Sequence, residues 1–225
     1  MKKLYGVLIA VVVMFLSGCA TPIHMSPTKE TQALETTKSS VLLMSLTMKN
    51  DFHPSYQPSP IVVNVERGDA NQRADRLNFL FDQDGTEESK TENHYLVRMS
   101  LPPGKYVVRG ITAQSGIFPF HGMCYTPLNY DIEVKPNSIV YLGHVDAAVV
   151  ERKDGELRAG PVIPLIDQAA TGFSGGTWTV DVADRFDQDM GDFRKVFPVL
   201  EKADVQDEVL PAWDKKKATD WWQAH

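Results

Sequence analysis

Three groupings of residues in this chain have the types and spacing that chemistry needs. Gly172-Phe173-Ser174-Gly175-Gly176 fits G-x-S-x-G, the turn that lifts a nucleophilic serine. A working elbow lies between a buried strand and a helix, with its acid and base later in the chain. Here Gln168-Ala169-Ala170 precedes the turn, a β-type run follows it, and the only later histidine is the terminal His225. The segment reads as a glycine loop, with an envelope serine hydrolase acting through Ser174 as the alternative. His121-x-x-Cys124 and His144-x-Asp146 carry four residues of metal-ligating type. Cys124, set between Met123 and Tyr125, reads instead as a buried, inert thiol. Asp181, Asp184, Asp187, Asp189 and Asp192 are a set of oxygen ligands such as calcium takes. Counted from Asp187, however, the sixth and twelfth positions of an EF-hand loop hold Asp192 and Pro198 where glycine and glutamate are required. These acids read as a helix start that complements the macrodipole, and a calcium-stabilised adhesin-like domain is the other reading. Arg67-Gly68-Asp69, the tripeptide some adhesins present, reads as a polar turn. No catalytic residue, metal or cofactor is therefore expected.

Cys19 is different. Lys2 and Lys3 open the chain, and an almost unbroken apolar run from Leu4 to Leu16 follows. That run is too short to span a bilayer comfortably, which takes roughly 20 apolar residues. It ends in Leu16-Ser17-Gly18-Cys19, which resembles the bacterial lipobox. The resemblance implies cleavage after Gly18 and a diacylglyceryl group joined to the Cys19 sulfur by a thioether. Two or three acyl chains anchor a protein stably where one does not. Ala20 in place of an aspartate implies the outer membrane, facing the periplasm, if the cell is Gram-negative.

Losing residues 1–18 removes two lysines and no acid, so the net charge moves from −6 to −8 with histidines neutral. A domain this acidic has no basic stripe for nucleic acid and no general attraction to anionic headgroups. With Cys19 lipidated, Cys124 is left without a partner for a disulfide, and the core must stand on packing.

Residues 19–38 are polar, rich in threonine and broken by Pro22 and Pro27, and read as a flexible tether of roughly 25 Å. From residue 39 the pattern turns to short β-type runs: Val41 to Met48, Ile61 to Val65, Leu77 to Phe81, Tyr95 to Leu101, Tyr106 to Thr112, Tyr130 to Val134 and Ile139 to Val150. Turn residues divide them, among them Asp84-Gly85, read as a solvated hairpin tip, and Pro102-Pro103-Gly104. After an irregular stretch at 155–176, Thr177 to Val182 adds one more strand. The expectation is a mainly β protein, an antiparallel β-sandwich over 39–182 with a small helical C-terminal appendage over 183–225. Asp187 to Leu200, interrupted by Pro198, and Leu210 to Trp222 are its two predicted helices.

Leu101-Pro102-Pro103-Gly104-Lys105-Tyr106, followed by Tyr130-Asp131-Ile132-Glu133-Val134 and Ile139-Val140-Tyr141-Leu142-Gly143, resembles the strand–turn–strand signature of transthyretin-like and PEGA-like β-sandwich modules. It covers roughly residues 95–145. The resemblance implies a sandwich fold and a surface-module habit, with no catalytic residues.

The reading is a non-enzymatic binding or assembly module of the bacterial envelope, with a protein or envelope polymer as partner and the membrane engaged through lipid at Cys19. Its candidate partner-binding residues are Trp213, Trp221 and Trp222, three of the four tryptophans, gathered near one terminus. Docking of this tail on the sandwich is the expected way to keep such large aromatics from water.

Overall fold

The β-branched and aromatic runs form strands, and their period-two alternation sorts side chains between two packed sheets. The computed structural model describes residues 22–70, 75–89, 93–117, 120–162 and 169–224. Strands β1 (Pro22–His24), β4 (Arg76–Leu80), β3 (Ser59–Arg67), β7 (Gly104–Ile117) and β8 (Phe120–Val134) lie in that order in the first sheet. The second runs β10 (Gly176–Ala183), β9 (Ile139–Glu151), β2 (Ser40–Asn50), β6 (Asn93–Leu101) and β5 (Thr86–Glu88). The two-residue β11 (Gln206–Asp207) pairs with Val140 and Tyr141 of β9. Most ladders are antiparallel; β1 with β4, β2 with β9 and β11 with β9 are parallel. Helix α1 (Phe186–Val196) is followed by one 3-10 turn (Pro198–Leu200), and helix α2 (Lys215–Ala224) ends the described chain. The mainly β sandwich with a small helical C-terminal part is what the sequence predicts.

β2 shows why one run can be apolar almost throughout. Leu42, Met44, Leu46 and Met48 point into the sandwich, where Val63, Val65, Phe79, Val108, Val149 and Trp178 meet them in one buried cluster. Val41 and Leu43 point the other way, into a second cluster with Leu96, Tyr141, Met190, Phe193, Phe197 and Leu200. α1 therefore roofs the outer face of the second sheet and gives β2 two dry sides.

The helix boundaries shift from those predicted. Pro198 lacks an amide hydrogen and ends α1 at Val196, leaving a 3-10 turn beyond. α2 begins five residues later than its apolar pattern suggests, because Asp214 caps it: its Oδ1 accepts the Lys217 amide at 2.9 Å. Trp213 thus lies outside the helix.

Two segments expected to be free loops are held against the sandwich. Asp84-Gly85 does not tip a hairpin, since β4 and β5 belong to different sheets and the segment crosses between them. Its acids are engaged: Asp82 pairs with Arg98 at 2.5 Å and Asp84 with Lys29 at 3.1 Å. The expected tether, from Pro22 onward, is laid on the sandwich. β1 extends the first sheet, Met25 is buried in its core, and the Pro27 carbonyl accepts the Nε–H of the fully buried Arg98 at 2.7 Å. A buried guanidinium needs several acceptors, and this segment supplies one of them. Cys19 and residues 1–18 lie outside the described residues.

Candidate binding groove

The outer face of the first sheet carries two polar rows. In one, Thr112 Oγ1 donates to Asn64 Oδ1 at 2.9 Å, and Asn64 Nδ2 donates to Asn78 Oδ1 at 3.0 Å. In the other, Glu66 takes Arg109 Nε–H on Oε2 at 2.6 Å and Arg76 Nε–H on Oε1 at 3.4 Å. The residues come from β3, β4 and β7, whose pairings set Asn64 opposite Asn78 and Glu66 opposite Arg76.

A break in register places Arg109. Val108 pairs with Val65 and Tyr130, Gly110 with Asn64 and Pro127, and Arg109 between them has no ladder partner on either side. Such irregularities re-aim side chains. Gly110 must be small there, for a Cβ would lie 2.2 Å from the Thr126 carbonyl oxygen. The guanidinium bonds Asn129 Oδ1 at 3.1 Å and lies 5.2 Å over the Trp221 ring. A cation over an indole face is attracted by the ring quadrupole.

α2 supplies the wall. Ala218 is fully buried and lets the helix approach β8 closely. Trp222 stacks on Tyr125 with ring centroids 5.0 Å apart and planes 16° apart, and Trp221 lies 6.1 Å from the same ring. Burial pushes the Tyr125 phenol well above its ordinary range, so it stays a neutral donor. Lys217 pairs with Asp131 and Lys215 with Glu156, each at 2.6 Å, and both ties hold the helix down. Between wall and floor is a groove of about 310 Å³ lined by Asn64, Glu66, Arg76, Asn78, Arg109, Tyr125, Trp221 and Trp222.

Trp213, the third candidate, belongs to the core side of this arrangement. Its Nε1–H donates to the Pro127 carbonyl at 3.0 Å, and its half-buried ring packs against the main apolar cluster. Of the three tryptophans, Trp221 and Trp222 line the groove and Trp213 is structural. Arg109, Glu66, Tyr125 and the Asn64–Asn78 pair were not singled out from the sequence; their parity on neighbouring strands becomes a signal only when the pairing is known.

A second polar cluster lies beneath α1. A bulge in β9 shifts the pairing from Leu43–Tyr141 to Ser45–His144 and turns His144 to the outer face. Gly143, with φ +102°, makes this turn in the left-handed region. Ser45 and Tyr141 both donate to Asp189 Oδ2, the latter at 2.5 Å. With its only proton given to Asp189, Ser45 Oγ accepts Nδ1–H from His144 at 2.8 Å. Nε2 then carries the lone pair and accepts from Thr47 at 3.2 Å. Burial, aided by the charge of Arg185, lowers the His144 pKa to about 4, so the ring is neutral at neutral pH. Ser45 and Asp189 sit on the same side of the imidazole, which is not the relay of a catalytic triad.

The other sequence candidates fall apart in space. Ser174 sits half-buried in the turn at 169–175, which leads directly into β10, and its carbonyl accepts from Arg158. His53, packed against Gly172 of that turn, gives Nδ1 to the Ala170 carbonyl at 2.9 Å. His121 is exposed, while Cys124 is buried with its thiol 3.6 Å from the Ala113 carbonyl and its pKa raised by burial. Both are on β8 of the first sheet, whereas His144 and Asp146 are on β9 of the second. The acidic set also divides: Asp187 and Asp189 open α1, Asp184 Oδ1 accepts the Phe186 amide, Asp181 is exposed, and Asp189 alone is buried. Arg67-Gly68-Asp69 forms a turn closed by Ala70 N–H on the Arg67 carbonyl at 3.0 Å. No helix among the described residues is long and apolar enough to cross a membrane. Comparison with models of protein families, with curated proteins and with solved structures found no match.

Proposed function

We propose that this chain is a lipid-anchored, non-enzymatic binding module of the bacterial envelope that holds a glycan-bearing envelope polymer in the groove beneath α2. The observation that carries this reading is the pairing of an aromatic wall with a floor of amide, carboxylate and guanidinium groups. Aromatic faces receive the apolar C–H faces of sugar rings, and planar polar groups satisfy the hydroxyls at their edges. A groove of about 310 Å³ is at the small end of ligand sites, roomy enough for a short stretch of polymer. The lipobox at Cys19 supports the anchor, and the PPGxY turn supports a sandwich of the transthyretin-like kind.

The docked N-terminal segment changes what the anchor does. Only two residues, Ala20 and Thr21, separate Cys19 from Pro22 at the start of β1, three chain steps that reach at most about 11 Å. The β1 edge of the first sheet then lies at the bilayer. The groove floor, which starts on the neighbouring β4, faces ligand close to the membrane.

Two measurements test the reading. Cys19→Ser should lose metabolic palmitate labelling and leave the detergent phase; continued labelling disproves the anchor. The full-length chain in detergent should co-sediment with peptidoglycan sacculi, and Trp222→Ala should lose most of that binding. Equal sedimentation of the variant, or none by the parent, rejects the groove as a glycan site.

A further inference from the structure

We propose that His94, His144 and Asp189 form a site for one divalent transition-metal ion, held by two imidazoles and a carboxylate. One ligand atom from each lies within 4.8 Å of the other two. Donors around a single tetrahedral ion with bonds of about 2.0–2.1 Å are roughly 3.3 Å apart, so the set must close by up to about 1.5 Å. His94 is the member free to do so. It is half-buried, forms no side-chain hydrogen bond among the described residues, and rests on His144 with centroids 5.9 Å apart and planes 15° apart.

The hydrogen bonds leave the right atoms for metal. Nδ1–H of His144 is fixed through Ser45 to Asp189, the kind of outer support that orients a metal-binding imidazole. That leaves Nε2 with its lone pair, on which only the long 3.2 Å bond from Thr47, a residue of the pocket wall, makes a claim. Ser45 and Tyr141 both occupy Asp189 Oδ2, and Oδ1 receives no hydrogen bond among the described residues. A cluster serving only to seal α1 onto the sheet would be closed over. Instead Thr47, His94 and Asp189 open onto a pocket of about 340 Å³ whose rim includes Glu87 and Asp192. These acids and Asp146 outweigh Arg185 in charge and favour a cation. Two histidines and one carboxylate, of which His94 and Asp189 line an open pocket, form the donor set of a transition-metal site with positions left for water or ligand.

The test uses the full-length chain in detergent, stripped with chelator and titrated with Zn²⁺. The expected result is one equivalent bound and a melting temperature raised by several degrees at excess metal. His94→Gln, at the pocket rim where folding does not depend on it, should weaken binding at least tenfold, as should Asp189→Asn. His121→Gln, on the other sheet, should bind as the parent does. Absence of stoichiometric Zn²⁺ binding, or parental affinity in folded His94→Gln, overturns the proposal. A Ca²⁺ response as large as that to Zn²⁺ does so too, since calcium prefers an all-oxygen shell.

Discussion

Each sheet of this sandwich has one C-terminal helix on its outer face, and the two helices do opposite things. α1 lays Met190 and Phe193 on Val41, Leu43, Leu96 and Tyr141, with Phe197 and Leu200 beyond its end, and so closes a second core. α2 buries only Ala218 completely and stands its tryptophans half-exposed along a polar floor. The strand faces beneath account for the difference. Where the outer face carries valine, leucine and tyrosine, a helix is held by removing them from water. Where it carries Asn64, Glu66, Asn78 and Arg109, the polar groups already pair among themselves, and a helix above them can form one side of a cleft. On each face a register break aims a central side chain, Arg109 on one and His144 on the other.

The sharpest way to break this comparison is to cut into the roof. Phe193→Ala should cost about 3–5 kcal/mol, the range for deleting a buried aromatic, because Phe193 is fully buried between α1 and the second sheet. Urea denaturation of variant and parent measures it. A loss below about 1 kcal/mol would show that α1 lies on the sheet no more tightly than α2 does.

The next effect in size concerns the segment before β2. Met25→Ala should cost about 2–4 kcal/mol, since Met25 is 2 % exposed and packs in the main core. A free tether would give no change at all. The same denaturation experiment therefore decides whether the first sheet has its β1 edge fixed next to the anchor.

That segment also shows where sequence reading stops. Long runs such as Val41 to Met48 and Ile139 to Val150 announce themselves, because eight or more β-type residues in a row leave few alternatives. Pro22–His24 has three residues and no pattern, and only its parallel partner β4, more than fifty positions away, makes it a strand. The sites divide in the same way. Trp221 and Trp222 draw notice by composition alone, but Tyr125, Arg109 and Glu66 join them through ladders that no local window contains. His94 is spaced by twos from Leu96 and Arg98 on β6, a parity that locates a face without revealing that α1 covers it. Asp189 looks like any acid of a helix start until Ser45 and Tyr141 are found pointing at it.

The smallest effect expected is on the wall itself. Removing residues 215–225 takes away α2, whose contribution is Ala218, the half-buried faces of Trp221 and Trp222, and two surface ion pairs. Exposed ion pairs contribute little, up to about 1 kcal/mol each, and the sandwich beneath keeps its own ladders. The truncated chain should therefore lose only about 1–2 kcal/mol while losing the groove and its ligand. Moving the stop codon five residues earlier should change that outcome. Leu210, 6 % exposed, and Trp213, bonded to the Pro127 carbonyl, would go as well, and both pack with the main core. Melting curves of the two truncations, beside their sedimentation with sacculi, place the boundary. If the shorter deletion is as damaging to stability as the longer, α2 is a second roof, and the contrast between the two faces disappears.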